Sequence, residues 1–319
     1  MSILQLLLQA FPEAISGEAM AKELAVSRSA IWKKIQTLQR SGVRVTGKQN
    51  SGYRLECWPD RLLPELLEYY RQTAVIGKDV FYQETMDSTN TTAKELARTG
   101  AAHGTLVVAE SQTAGRGRRG RTWISDPGSG IFATLVLRPQ LPPDRIPLLT
   151  MTVGVAVVQT LRQLGLGDAW LKWPNDVWVG GRKMVGILAE MSGQIDQVDW
   201  VVAGFGINTH QTDFPGDLAA KATSFLRETG QQVQRAHLLM EVLRRLEQLL
   251  PLLEQPTVQP LLNLFREFDR LTGQEVQVIT PIETFSGQVL GITASGALLV
   301  RRSDGQEQSL LAGDVSLRI

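Results

Sequence analysis

The chain has 319 residues, 43% of them hydrophobic and 20% charged, with a formal net charge of +1. That is room for roughly two to three domains of about 100 to 200 residues, and the balance argues against wholesale disorder and against a membrane protein, since no apolar run approaches the ~18 residues a spanning helix needs. A single cysteine, Cys57, excludes an intrachain disulfide and a thiolate metal cluster, and without a basic n-region or cleavage site at its start the chain is expected in the cytoplasm.

Charge is uneven along the chain. Residues 1–60 carry four Lys and four Arg against four Glu and one Asp, while the remainder holds 25 basic and 27 acidic groups. Ser16 is placed to cap a helix carrying Met20, Ala21 and Leu24, and Ser27 to cap a second one after Ala25-Val26. In the second, Ile31, Ile35 and Leu38 share a face, leaving Ser27, Arg28, Ser29, Trp32, Lys33 and Lys34 to face elsewhere. VRVTGKQNSGYRLE then alternates around the turn-forming stretch from Gly47 to Gly52 and predicts a two-stranded hairpin. This is a winged helix-turn-helix pattern over 1–60, whose second helix suits the major groove. A helical packing domain with a solvated basic face is the alternative.

Residues 57–66 contain two prolines and predict a linker. From 66 to 268, helical patterns alternate with the β-rich runs LVVAES, GIFATLVLRP, LLTMTVGVAVVQTLRQL, AWLKWPNDVWV, MVGILAEMS and VDWVVAGFGIN. Strand and helix do not alternate regularly, so the expectation is an α+β domain with a mixed or antiparallel sheet and flanking helices. Residues 236–268 predict helices broken around Pro251 and Pro256. Over 270–319, EVQVIT, TFSGQVLGI, ALLVRR, EQSLL and DVSLRI predict five short strands with turns at 294–296 and 303–305, an SH3-like barrel.

The sharpest motif is GRGRRGR, residues 115–121. It matches G-x-G-x-x-G as a string, but a further strand follows it, not a helix, so the dinucleotide reading fails on context, and no P-loop occurs. Two readings remain: a flexible loop whose glycines admit a ligand while its arginines clamp a polyanion, or a solvated loop. DSTN, residues 87–90, offers hydroxyl and amide groups to a small polar head and also fits a helix N-cap. In LKWPNDVWVGGRKMVGILAE, Lys172, Asn175, Asp176 and Lys183 sit in an apolar hairpin; a charge there needs a partner, which points Lys183 to a phosphate or carboxylate. AGFGIN, residues 203–208, is a glycine-punctuated strand end open to a planar ligand. His103, His210 and His237 share no metal-ligand spacing, and no nucleophile elbow supports a Ser-His-Asp triad.

DSTN, ESQTAGRGRRGR, KWPNDV, GRKMVGILAE and GFGIN, in that order, closely resemble the biotin protein ligases, and with the winged helix the whole chain resembles their bifunctional bacterial ligase/repressor type. The resemblance implies a central domain related to class II aminoacyl-tRNA synthetases. It implies that biotin and Mg-ATP give biotinyl-5'-adenylate and pyrophosphate, and that a lysine of a biotin carboxyl carrier protein then takes the biotin. Ser88, Thr89, Asn90 and Gln112 would hold the biotin head, Arg116, Gly117 and Arg118 would close over it, and Lys183 would lie on the carboxylate and α-phosphate. Arg119, Arg121 and Trp123 would face the nucleotide, Asn175 and Asn208 would bind its polar groups, and Asp176 would organise phosphate or metal without a dedicated metal site. Catalysis would rest on Lys183, Arg118 and Asp176. The winged helix would bind operator DNA as an adenylate-bound homodimer, repressing biotin-synthesis genes. The chain departs from repressor-type relatives in lacking a tryptophan after the GIN motif, where Phe214 or Phe225 is the available substitute. Two rivals stand beside this reading: a non-catalytic biotin-sensing transcription factor and a lipoyl-type protein ligase.

Overall fold

In the computed structural model, which describes residues 1–48, 51–194, 198–280, 282–311 and 313–317, three serines start the first three helices. Ser2, Ser16 and Ser27 accept from the N–H groups of Gln5, Ala19 and Ala30 at 3.2, 3.0 and 3.2 Å, opening α1 (Ile3–Ala10), α2 (Gly17–Glu23) and α3 (Arg28–Arg40). Two of these were legible; α1 was not read, although Ser2 and Gln5 form a capping box. Ile31, Ile35 and Leu38 are buried as the spacing requires. β1 (Val45–Lys48) and β2 (Gly52–Leu55) pair antiparallel as the wing, whose tip, Gln49 and Asn50, lies outside the described residues.

The expected linker is a packed strap that runs into α4 (Pro64–Tyr70). Leu62, Leu66 and Leu67 are fully buried, and one hydrophobic cluster continues from Ile3 and Leu4 through them to the central sheet. Burying apolar side chains is worth more than leaving them on a free tether, so the prolines mark a rigid connection.

The central domain follows with β3 (Val80–Met86), α5 (Thr89–Arg98), β4 (Thr105–Gln112), β5 (Gly130–Leu137), α6 (Ile146–Gln163), β6 (Trp170–Lys172), β7 (Asp176–Val179), β8 (Arg182–Gly193) and β9 (Val198–Asn208). Then come α7 (Leu218–Lys221), α8 (Phe225–Thr229), α9 (Arg235–Leu249) and α10 (Gln259–Phe268). The seven strands order as β3-β4-β5-β9-β8-β7-β6, antiparallel except for the β3–β4 pair. One expectation is corrected: LLTMTVGVAVVQTLRQL is the body of α6, not β structure. It is buried almost all round, so it has no amphipathic period to betray it. Thr152 and Thr160 spend their hydroxyls on the carbonyls of Leu148 and Ala156, 2.8 Å each.

Alternation in the strands buries both faces. Leu106 and Val108 of β4 join α6 and α9 in one cluster, while Val107 and Ala109 join Ala93 and Ala97 of α5 in another. α5 packs mainly on β4, β5 and β9 and reaches β8 through Asn90 and Lys94. The same face over the rest of β8 and over β7 and β6 is left uncovered, and there the site forms.

β10 (Glu275–Ile279), β11 (Thr284–Ile292), β12 (Leu298–Arg302), β13 (Glu307–Leu310) and β14 (Asp314–Leu317) make the expected five-stranded antiparallel C-terminal domain, ordered β13-β12-β11-β10-β14. Arg318 and Ile319, the end of the expected last strand, lie outside the described residues. No helix of the described residues is long and apolar enough to cross a membrane.

Candidate functional site

A cavity of about 530 Å³ opens on the uncovered sheet face, between the arginine loop, the KWPND turn and the C-terminal domain. All the residues assigned to biotin, nucleotide or catalysis line it except Arg119. At its inner end Thr89, Asn90 and Gln112 are already interlocked. Gln112 Oε1 accepts from Thr89 N at 2.8 Å and Oγ1 at 3.1 Å, and Thr134 Oγ1 donates to Asn90 Oδ1 at 2.7 Å. Asn90 Nδ2 donates to Glu190 Oε2 at 2.9 Å. Ser88 stands at the N-cap of α5 without a capping hydrogen bond from its side chain. The result is a fixed set of donors and acceptors at the mouth of a helix.

The glycines of GFGIN and GRKMVGILAE make room for the protein's own side chains. A Cβ on Gly204 would lie 1.8 Å from Asn90 Oδ1, and one on Gly206 or Gly186 would come within 2.5 or 2.7 Å of the Trp123 ring. The planar group on this floor is therefore Trp123, with Lys183 Nζ 5.4 Å from its ring centroid.

Lys183 has found its partner in Asp176, at 2.6 Å. Its carbonyl accepts Thr223 N at 2.9 Å. Asn175 accepts from Arg118 Nη1 at 3.0 Å and donates to Ile187 O at 2.8 Å. Asn208 donates to Thr223 O at 3.0 Å and accepts from Gln211 at 3.2 Å. Both amides are thus spent on bracing the walls. Burial is the chief cause that lowers the Arg118 guanidinium's pKa, with Arg119 and Arg121 adding to it and Asp314 and Asp176 opposing.

The arginine loop is not slack. Gly117 N donates to Arg121 O at 2.7 Å and Trp123 N to Gly115 O at 2.9 Å, closing a small hairpin. Arg119 stands at its turn with φ +57°: its guanidinium takes Asp314 at 3.2 Å, and Arg121 takes the same carboxylate at 2.6 Å. Arg119 is thus placed beside the cavity rim, on a carboxylate that lines it, without lining the cavity itself.

Phe214 lines the outer end of the cavity and Phe225 is buried elsewhere, 5% exposed, so Phe214 is the aromatic available there. Lys172 also lines the cavity; it was visible in KWPND but drew no role. Away from the cavity, Arg28, Ser29, Trp32, Lys33 and Lys34 are exposed on α3, Trp32 at 55%. Ser27 beside them is occupied as the cap. Among the described residues no group of three His, Cys, Asp or Glu side chains forms a metal cluster.

Residues 82–208 match the Biotin/lipoate A/B protein ligase family, residues 1–54 an HTH domain, and residues 271–318 the Biotin protein ligase C terminal domain. Over 317 residues the chain is 36% identical to the bifunctional ligase/repressor BirA of Bacillus subtilis, covering 99% of this chain and 97% of that one. The chain belongs to the bifunctional ligase/repressor family of biotin protein ligases. With BirA of Escherichia coli it shares 32% identity over 308 residues, 95% of this chain and 92% of that one. The biotin protein ligase of Aquifex aeolicus in complex with biotin and ATP superposes with a TM-score of 0.65 at 28% identity, over 76% of this chain and 99% of that one. Within this biotin protein ligase, the family match of the central domain spans the cavity residues from Ser88 to Asn208. Phe214, Leu218 and the paired Asp314 reach the cavity from beyond it.

Proposed function

We propose that this cytoplasmic protein is a biotin–[acetyl-CoA-carboxylase] ligase that makes biotinyl-5'-AMP from biotin and ATP and transfers biotin to a carrier-protein lysine. It also represses biotin-synthesis genes through its winged helix. One arrangement carries the enzymatic reading: the Lys183–Asp176 pair shares a cavity with the interlocked Thr89, Asn90 and Gln112.

In this reading Ser88, Thr89, Asn90 and Gln112 hold the polar biotin head, preorganised so that little ordering is left to binding. The biotin carboxylate then points toward Lys183. A carboxylate oxygen bonds to the α-phosphorus, the bond to the bridging oxygen breaks, and pyrophosphate leaves with the electron pair. Two anions must meet for this, and the Lys183 ammonium lowers that repulsion and stabilises the charge of the transition state. In the second step the carrier amine attacks the anhydride carbonyl, loses a proton and displaces AMP. Arg116, Gly117 and Arg118 cover the anhydride against water. Arg121 and Phe214 face the nucleotide.

The donor set suits Mg²⁺ carried in with ATP, because that ion takes one or two carboxylates and completes its shell with phosphates. Asp314 is engaged by two arginines and Asp176 by Lys183 alone, so Asp176 is the carboxylate that would meet the ion. When bound, the ion neutralises phosphate charge.

Biotin-dependent exchange of labelled pyrophosphate into ATP tests the reading, and its absence in folded protein sinks it. Sedimentation with biotin plus ATP, compared with unliganded protein, tests the homodimer: an unchanged monomer would remove the two-copy repressor. A non-catalytic sensor has no need of the intact Lys183–Asp176 pair, and lipoate has no ureido head for the Thr89–Gln112 group.

A further inference from the structure

The cations lining the cavity are not equally occupied. Lys183 pairs with Asp176 at 2.6 Å, Arg121 with Asp314 at 2.6 Å, and Arg118 donates to Asn175 at 3.0 Å. Lys172 is half-buried, and among the described residues no carboxylate lies within ion-pair distance of it. Its Nζ rests 3.8 Å above the centroid of Trp178. Burial first, and then the charge of Lys183, lower the pKa of this ammonium, against opposing pulls from Asp176 and Asp314. A desolvated cation held only by a ring face is poorly compensated, and an anion entering the cavity would complete it.

Strand order says which anion. Asn90 and Thr134 set the head subsite against β5 and β9, Lys183 stands on β8, and Lys172 stands on β6 beyond β7. Phosphoryl transfer requires the attacking oxygen, the phosphorus and the leaving oxygen to lie roughly in line. Resting on the proposed ligase reading, the sheet lays out that line: biotin over β9, the α-phosphate at β8, and the departing group over β7 and β6. We infer that Lys172 is a further catalytic residue, the cation that receives the β- and γ-phosphates of ATP and stabilises pyrophosphate as it leaves. The α-phosphorus–oxygen bond breaks toward Lys172, which keeps its proton throughout. Asp176 on the intervening strand does not repel the diphosphate, because Lys183 already neutralises it.

The half-reactions separate this role from a structural one, since pyrophosphate takes part only in the first. Lys172→Gln keeps a polar side chain only one bond shorter and removes the charge. Single-turnover adenylation from biotin and ATP should fall about 100-fold, and in the reverse direction the KM for inorganic pyrophosphate acting on preformed biotinyl-5'-AMP should rise about tenfold or more, the loss expected for one charge-assisted contact. Transfer of biotin from preformed biotinyl-5'-AMP to carrier should stay within about twofold of the parent. An unchanged pyrophosphate KM, or equal losses in both half-reactions, overturns the inference. Failure of the parent protein itself to form adenylate would instead overturn the ligase reading on which it rests.

Discussion

The C-terminal barrel and the winged helix flank the central domain, and they are held by different kinds of residue. On the barrel side the contacts belong to the cavity's own motifs. Trp170 and Trp173, 4% and 2% exposed, complete the barrel core with Val276, Val278 and Val315, and Trp173 Nε1 donates to Gly296 O at 3.0 Å. Asp314 of β14 holds two arginines of the loop. On the winged-helix side the strap docks on the opposite sheet face. Arg235, 1% exposed, meets Asp60 at 2.9 Å and Glu110 at 3.0 Å, and Glu110 takes Leu62 N at 2.7 Å and Arg61 at 3.1 Å. A flank gripped by site residues shapes the chemistry, whereas one gripped across the sheet is tied to it mainly through stability.

The largest test of that contrast exchanges one indole on each side. Trp173→Ala empties a packed barrel core and should cost about 3–5 kcal/mol, and pyrophosphate exchange should collapse with it even well below the unfolding temperature, because Lys172 and Asn175 lose their anchor. Trp58→Ala removes an indole that packs edge-on against Phe11 and donates to Tyr70 Oη at 2.6 Å. It should lower the melting temperature while leaving exchange per folded molecule within about twofold. Equal losses of exchange in the two variants would break the comparison.

Lys183→Ala sets the scale for chemistry without packing. Adenylation should fall about 10²–10³-fold, the effect of removing one charge-stabilising donor, with the fold intact by calorimetry. Exchange within threefold of the parent would remove Lys183 from its role.

How much of this was legible follows range along the chain. The serine caps, the five barrel strands and the arginine and KWPND strings are local, and each stands where its spacing placed it. The Arg235–Asp60 pair joins residues 175 positions apart, and no periodicity announces it. The prolines of 57–66 therefore predicted a linker where there is a strap. Lys172 drew no role because its isolation is a property of packed neighbours, and the pairing of Arg119 with Asp314 was not legible because Asp314 comes from another domain. α6 was lost because full burial erases the amphipathic signal.

The strap changes what a truncation should do. A chain beginning at Leu62 discards Asp60 and Arg61, leaving Arg235 with only Glu110 and the Gly130 carbonyl, at 3.0 Å each. Exposing a formerly paired buried charge should cost about 1–3 kcal/mol. A chain beginning at Cys57 keeps both partners and should be the more stable of the two, and both should still exchange pyrophosphate when folded. If the longer chain gains nothing in denaturant midpoint, the Asp60–Arg235 contact carries no weight.

Asp314→Asn is a smaller perturbation. Its pairs are part-exposed, the Arg121 side chain at 70%, so stability should change by about 1 kcal/mol or less. Freed arginines hold the loop less firmly over the cavity, so bound adenylate should dissociate several-fold faster in stopped-flow release. An unchanged off-rate would confine the barrel's influence to the KWPND turn.

The smallest expected effect on the ligase lies on the far flank. Lys33 is exposed on α3, and its proposed partner is phosphate. Each phosphate neutralised contributes about 0.9 to the slope of log K against log salt concentration. Lys33→Ala should therefore reduce that slope by about 0.9 if one copy occupies a site, and by about twice as much if two copies sit on a two-fold operator. Pyrophosphate exchange should not move. The slope change thus counts the proteins on the DNA as well as testing the helix. A changed exchange rate would show the winged helix coupled to the cavity more tightly than the strap suggests, and an unchanged slope would take Lys33 off the DNA.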